Sequence, residues 1–259
     1  MGLESSDYWL FNIGELFRRS LRDAVPRLNF YLRRMNETIS AFPSEELYGS
    51  ALINHDSVAK RRLVDLPGIQ EPTSEDAIET LEPTLVFFDT AGSEMFERLE
   101  GDGEDAAIQK GSVGEGSRYN ENEAEIVAKW ARKLVRGSKP WLSEIPLILL
   151  LGLQIGLGVP EREIAIITPY QAQVAHISSM LREEFPDLVC GSVDGMQGQE
   201  REAVILSLVR SNANREVGFL AEKRRLNVAM TRAKRQLVST YGIVDLGGHA
   251  NTTSAVHCG

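Results

Sequence analysis

Four short runs constrain this chain more than anything else in it: "TLVFFD" (Thr84–Asp89), "EIAIIT" (Glu163–Thr168), "LVCGSV" and "AVILSLV". Each is apolar on consecutive positions instead of alternate ones, so each is expected to be a strand buried on both faces. Between them lie stretches with helical spacing. Ala124, Val127, Ala131 and Leu134 form one face, opened by Asn120 with Glu123 three residues on and stopped by Gly137. Val174, Ile177 and Leu181 form another after Pro169, and Leu226, Ala229, Met230 and Ala233 give a third, read as a helix over Arg224–Lys234. Strands that alternate with helices in this way predict an α/β fold with a mostly parallel sheet and helices on both faces. Ligands in such sheets collect beyond the carboxyl ends of the strands, here the loops after Asp89, Thr168, Val193 and Val209.

The remaining stretches are read from their local signals. Residues 11–36 are expected to be helical and basic, "FPSEELYGSALI" (Phe42–Ile53) a turn into a short helix, and Pro67–Pro83 a loop. Residues 101–119 are rich in Gly, Glu and Ser and have almost nothing to bury, which predicts a flexible surface loop. "WLSEIPLILLLGLQIGLGV" (Trp141–Val159) is near the length of a membrane span. Its Glu144, Pro146, Gln154 and three glycines, and its place between two elements of one sheet, favour an apolar insertion with no membrane partner. The segment 246–259 lacks periodicity and is expected to be a disordered tail. The domain reading is therefore residues 1–20 as the end of a preceding unit, 21–245 as one α/β domain, and the tail.

Charge narrows the ligand. The chain carries −9 overall, yet Arg210–Arg235 holds eight Lys/Arg against Glu216 and Glu222. A local +6 inside an acidic chain suggests a specific anion. Two cysteines, Cys190 and Cys258, make no disulfide framework, and the amino-terminal sequence lacks the pattern of a secretory signal.

Chemistry gathers in two places. "SVDGMQGQEREAVILSLV" (Ser192–Val209) sets Gln197, Gly198 and Glu200 directly before a buried strand, and "RRLNVAMTRAKRQL" (Arg224–Leu237) carries Arg232 off its helix's apolar face. A guanidinium fork suits a phosphate, a glycine permits close backbone approach, and an acid can accept from a ribose hydroxyl. Isolated His55 and His176 have no neighbours with metal-ligand spacing, and Cys190 reads as core.

These two motifs, with "AIITPYQAQ" (Ala165–Gln173) and "FPSEELYGSALI", resemble motifs of the second RecA-like domain of superfamily 1B helicases. Within that family they are most like the immunoglobulin μ-binding protein 2 and DNA-polymerase-α-associated helicase A group. The likeness covers roughly residues 11–140 and 160–238. It implies a RecA-like fold and a nuclear or cytoplasmic, ATP-dependent 5′→3′ helicase acting on single-stranded DNA or RNA.

By position, Arg232 and Arg34 match arginines that reach the ATP γ-phosphate, and Gln197, Gly198 and Glu200 match the phosphate- and ribose-facing positions. Thr168, Tyr170, Ser192 and Asn212 match positions on the nucleic-acid backbone. Leu32 and Arg33 depart from the family's Gln-Tyr before the motif arginine, and the family's last strand pattern is lost after Leu237. Neither Gly-x-x-x-x-Gly-Lys-[Ser/Thr] nor an Asp-Glu pair occurs in the sequence. ATP and Mg²⁺ are therefore expected to be held mainly by a separate P-loop RecA-like partner domain, and this chain alone is expected to be inactive. A RecA-like remnant that binds nucleic acid or protein without catalysis is the alternative.

Overall fold

The computed structural model describes residues 30–69, 71–90, 95–99, 117–137, 158–212, 218–241 and 255–257. The expectations for residues 1–20, for 101–116 of the loop and for 141–157 of the insertion lie outside them. The sheet is built from β3 (Leu85–Asp89), β6 (Ile164–Thr168), β7 (Val189–Ser192), β8 (Arg201–Ser207) and β9 (Ala233–Tyr241). With β10 (Ala255–His257) at one edge, the order is β10-β3-β9-β8-β6-β7, and every pairing is parallel. From the expected tail, these three residues are described, as the edge strand.

Both faces are covered, as non-alternating apolar strands require. Ile164 and Ile166 of β6, Ala203 and Ile205 of β8 and Val238 of β9 pack with α4 (Glu121–Arg136) and α5 (Gln171–Leu181), through Val127, Ala131, Leu134, Ile177 and Leu181. Ala165, Ile167, Val204, Leu206 and Leu237 turn the other way. They meet Met35 just before α1 (Glu37–Tyr48), Ile39 within it, and Ala229 of α6 (Lys223–Met230). The chain therefore adopts the doubly covered α/β, RecA-like fold.

Four local expectations are corrected. The described part of the 11–36 helix is β1 (Phe30–Leu32), paired in parallel with β2 (Leu52–Asn54). Helix begins only where Asn36 accepts from Thr38 N at 2.8 Å, so Phe42–Tyr48 is the end of α1 and Leu52–Ile53 enters β2. Within Pro67–Pro83, Ser74 accepts from Ala77 N and opens α3 (Glu75–Leu81), which buries Ala77 and Leu81. The Arg224–Lys234 helix stops at Met230, and Ala233–Tyr241 is the strand thought lost after Leu237. Its Ala233 and Leu237–Thr240 are buried, so their apolar spacing belongs to a central strand.

Helix α4 carries two further constraints. At its carboxyl end the last two residues of the expected insertion pack back on the helix, with Gly158 N donating to Val135 O (3.0 Å) and Val159 N to Leu134 O (2.7 Å). A Cβ on Gly158 would stand 1.9 Å from Leu134 O and 2.8 Å from Gly137 N, so backbone closure there demands glycine. At its amino end, Asn120 accepts from Glu123 N at 3.1 Å, which is half of the expected capping box.

The other half is diverted. Fully buried Glu123 Oε2 accepts from Ser207 Oγ (3.1 Å), Val209 N (3.0 Å) and Thr240 Oγ1 (2.7 Å). Val209 has φ 68°, a region that costs a β-branched residue on the order of 1–3 kcal/mol.

Burial, only partly opposed by these hydrogen bonds, raises the Glu123 pKa above the ordinary carboxyl value. The folded state thus binds its proton more readily than the unfolded chain. Glu123's contribution is fully present below the unfolded pKa and is lost as pH rises through the raised folded value. Denaturant titrations across this window should show stability falling with pH, with a flatter profile for Glu123→Gln. An identical slope in the two proteins would refute this.

Candidate functional site

The amino ends of β8 and β9 lie side by side. Arg201 is partnered with Ala233 across the pair, and Arg201 N donates to Arg232 O at 3.0 Å. Register alone therefore brings Glu200 and Arg232, each one residue before its strand, to the same edge. Buried Arg232 donates from Nε to Val228 O (2.9 Å), from Nη2 to Thr231 Oγ1 (3.2 Å) and from Nη1 to Gln199 O (3.4 Å).

A third segment reaches this edge from the β1–α1 loop. Asn36 N donates to Lys234 O at 2.8 Å, which pins the loop to β9, and Arg34 Nη1 meets Glu200 Oε1 at 2.8 Å. Gly198 has φ 81° with nothing within 4 Å of an added Cβ, so conformation and not space selects glycine. Gln197 is exposed on the same turn.

Sequence reasoning missed Arg201. Its Nη1 donates to the Glu200 backbone carbonyl (2.9 Å) and its Nη2 to Gln199 Oε1 (3.1 Å), which adds a third guanidinium to this edge. The signal was present, an arginine directly after the motif glutamate, but the charge count began at Arg210. Arg34 Nε and Arg201 Nε are both buried without a hydrogen-bond partner among the described residues. Burial, then the Arg34 charge, lower the Arg232 pKa, with Glu200 opposing. Guanidinium does not deprotonate in practice, so the meaning is electrostatic: positive charge outnumbers the one carboxylate, Glu200, at this edge, and an anion such as a polyphosphate fits it.

The strand-contact candidates lie at the other end of the sheet. Thr168 and Ser192 are register partners at the carboxyl ends of β6 and β7. Thr168 is fully buried and its Oγ1 has no partner, whereas Ser192 is half-buried and its Oγ accepts from Gly195 N at 3.3 Å. Tyr170 precedes α5 and Asn212 follows β8, both half-buried. Across β8's seven residues the two groups are separated by about 20 Å.

This corrects the expectation that all ligand loops sit at carboxyl ends. Because β7 and β8 are both parallel to β6, the intervening chain must return the full height of the sheet. Residues 194–200 make that return, anchored on the α1–α6 face by buried Met196, and deliver Gly198 and Glu200 to the amino edge. Among the described residues no group of three or more His, Cys, Asp or Glu could hold a metal ion, and no helix is long and apolar enough to cross a membrane.

The Arg34–Glu200 pair is about one-third exposed on each side, so water screens it. Glu200→Gln should therefore lower unfolding stability by no more than ~1 kcal/mol in a denaturant titration. A loss several times larger would make the pair a structural element instead of a site.

Comparison with known proteins adds independent support. A family profile described as an AAA domain matches residues 15–240. DNA polymerase alpha-associated DNA helicase A of Saccharomyces cerevisiae is 41% identical over 219 residues, which cover 84% of this chain and 27% of that protein. DNA-binding protein SMUBP-2 of Rattus norvegicus is 37% identical over 88% of the chain and 19% of its own length. A regulator of nonsense transcripts 1 homolog of Neurospora crassa is 30% identical over 83% of the chain and 16% of its own length. The chain thus spans about a quarter or less of these relatives.

Proposed function

The chain belongs to the superfamily 1B helicase group, and from that membership we propose that it forms the second RecA-like half of an ATP-dependent 5′→3′ helicase. In this reading a P-loop RecA-like domain outside the chain holds ATP and Mg²⁺, and the amino edge of β8 and β9 closes over the triphosphate. The observation that carries the reading is the convergence of Arg34, Glu200 and Arg232 from three separate segments onto one edge.

The roles follow from the donors. Arg232, held by Val228 O and Gln199 O, presents a guanidinium whose remaining donors face the γ-phosphate and stabilise charge on the transferring phosphoryl group. Arg34 contributes a second positive charge. Gly198 lets backbone approach the phosphates with Gln197 beside it, and Glu200 accepts from the ribose. Bound Mg²⁺, supplied with the P-loop half, would neutralise the phosphate oxygens.

At the opposite edge half-buried Tyr170, Ser192 and Asn212 form the path for a single strand, while Thr168, fully buried at the same edge, does not reach the surface. Hydroxyl and amide groups there grip phosphates without reading bases, which suits a translocating enzyme.

In the protein joined to its P-loop half, Arg232→Ala should lower ATP turnover by roughly 10³-fold or more while circular dichroism and thermal unfolding stay near the parent's. Unchanged turnover would remove Arg232 from catalysis and favour a binding module without catalysis. The chain alone should bind oligonucleotides weakly, with affinity falling steeply as salt rises. Tight binding insensitive to salt would contradict a phosphate grip.

A further inference from the structure

The carboxyl end of β8 does not simply run out into a loop. Arg210 N donates to Leu208 O at 2.7 Å, closing a γ-turn around Val209, whose positive φ a valine avoids. Both polar groups of the Val209 backbone are held from the first turn of α4. Its N–H donates to Glu123 Oε2 at 3.0 Å, and its carbonyl accepts from Asn120 Nδ2 at 3.4 Å.

The hydroxyls that complete the Glu123 cluster come from Ser207 at the end of β8 and Thr240 near the end of β9. Ser207 Oγ also accepts from Gln173 Nε2 at 2.9 Å, and Gln173 Oε1 accepts from Asn120 N at 2.9 Å. Asn120, Glu123, Gln173, Ser207 and Thr240 are all fully buried. Gln173 lies on the first turn of α5, the helix that Tyr170 precedes.

A buried carboxylate with no ion pair among the described residues is an expensive way to join two helices to a sheet, and apolar packing would do that alone. What a carboxylate adds is a strong acceptor for a peptide N–H in an unfavourable conformation. The turn it holds re-aims the chain. The next residues are fixed by Glu97, which accepts from Ser211 N at 3.0 Å and pairs with Arg210 at 3.2 Å, and Asn212 follows.

We propose that Glu123 is a positioning residue for the single-strand path: it clamps Val209 in the left-handed region and so sets Arg210–Asn212 at the carboxyl edge of the sheet. The inference rests on the reading of Asn212 as a strand contact. Glu123 itself touches no ligand.

The test uses the full chain at low salt, with fluorescein-labelled oligothymidylate and oligouridylate in anisotropy titrations and amide exchange at Arg210. Glu123→Gln, folded by circular dichroism, should weaken binding by up to about tenfold, the upper end for loss of one intramolecular hydrogen bond, and speed Arg210 exchange. Adding Val209→Gly, which accepts the turn unaided, should restore most of the affinity. A merely structural role would not be rescued in this way.

A folded Glu123→Gln protein with parent affinity and parent exchange overturns the proposal, and so does a double variant that stays as weak as the single one. If Glu123→Gln does not fold, Thr240→Val takes its place, with the same loss and the same rescue expected and an unchanged affinity counting against the clamp. Asn212→Ala separates the two readings. If it binds like the parent, the strand path at this edge is wrong, while faster Arg210 exchange in Glu123→Gln would still report the clamp.

Discussion

The parallel pairing of β8 with β9 is the interaction from which both ends of the molecule take their geometry. At its start, Arg201 beside Ala233 sets Glu200 against Arg232. At its finish, Ser207 beside Thr240 places two hydroxyls where one carboxylate from α4 meets both. A slip of one residue would exchange Ala203 and Ile205 with Val204 and Leu206 between two differently packed faces. Apolar burial therefore holds the register, and the register holds the polar groups.

The sheet was legible because burial on both faces leaves a composition that periodicity reads directly, as in Ile164–Thr168 and Ala203–Ser207. Elements fixed by a capping side chain or by strand pairing were harder. Nothing in Phe30–Leu32 distinguishes a strand from a helix until Leu52–Asn54 pairs with it, and the turn expected at Phe42 lies inside a helix that Asn36 caps. The strand Ala233–Tyr241 was hidden because Leu226, Ala229, Met230 and Ala233 keep helical spacing across the boundary, while the helix ends at Met230. Of the candidate site, residue types at motif spacing were readable, but which edge they occupy was not. That depended on the chain's return between parallel strands, a property of topology and not of local sequence.

The basic block from Arg210 to Arg235 shows how a charge run dissolves on folding. Arg210 pairs with Glu97, Lys223 with Glu46, Arg225 with Asp194 and Glu222, and Lys234 and Arg235 both with Glu202. Five of the block's seven described charges are thus met by acids, and four of those five acids lie outside the block. Arg232 is different. Its hydrogen bonds go to neutral oxygens, and the acid near it, Glu200, is already engaged by Arg34. A run of like charges thus separates on folding into members paired with acids and a buried arginine bonded to neutral oxygens, which a count along the sequence cannot single out.

A strand buried on both faces is the stiffest connection available between the two edges, since it can neither slide nor stretch without repacking the core. Differences between liganded states must then be accommodated at its ends. One end carries a half-exposed ion pair, Arg34–Glu200, whose partners water or phosphate could replace at small cost. The other carries a strained peptide held by a buried carboxylate. Exchangeable contacts at one edge and a clamped turn at the other suit two different tasks. On the proposed function, the first edge would meet a nucleotide that comes and goes in each cycle, and the second a strand held at a fixed distance from it.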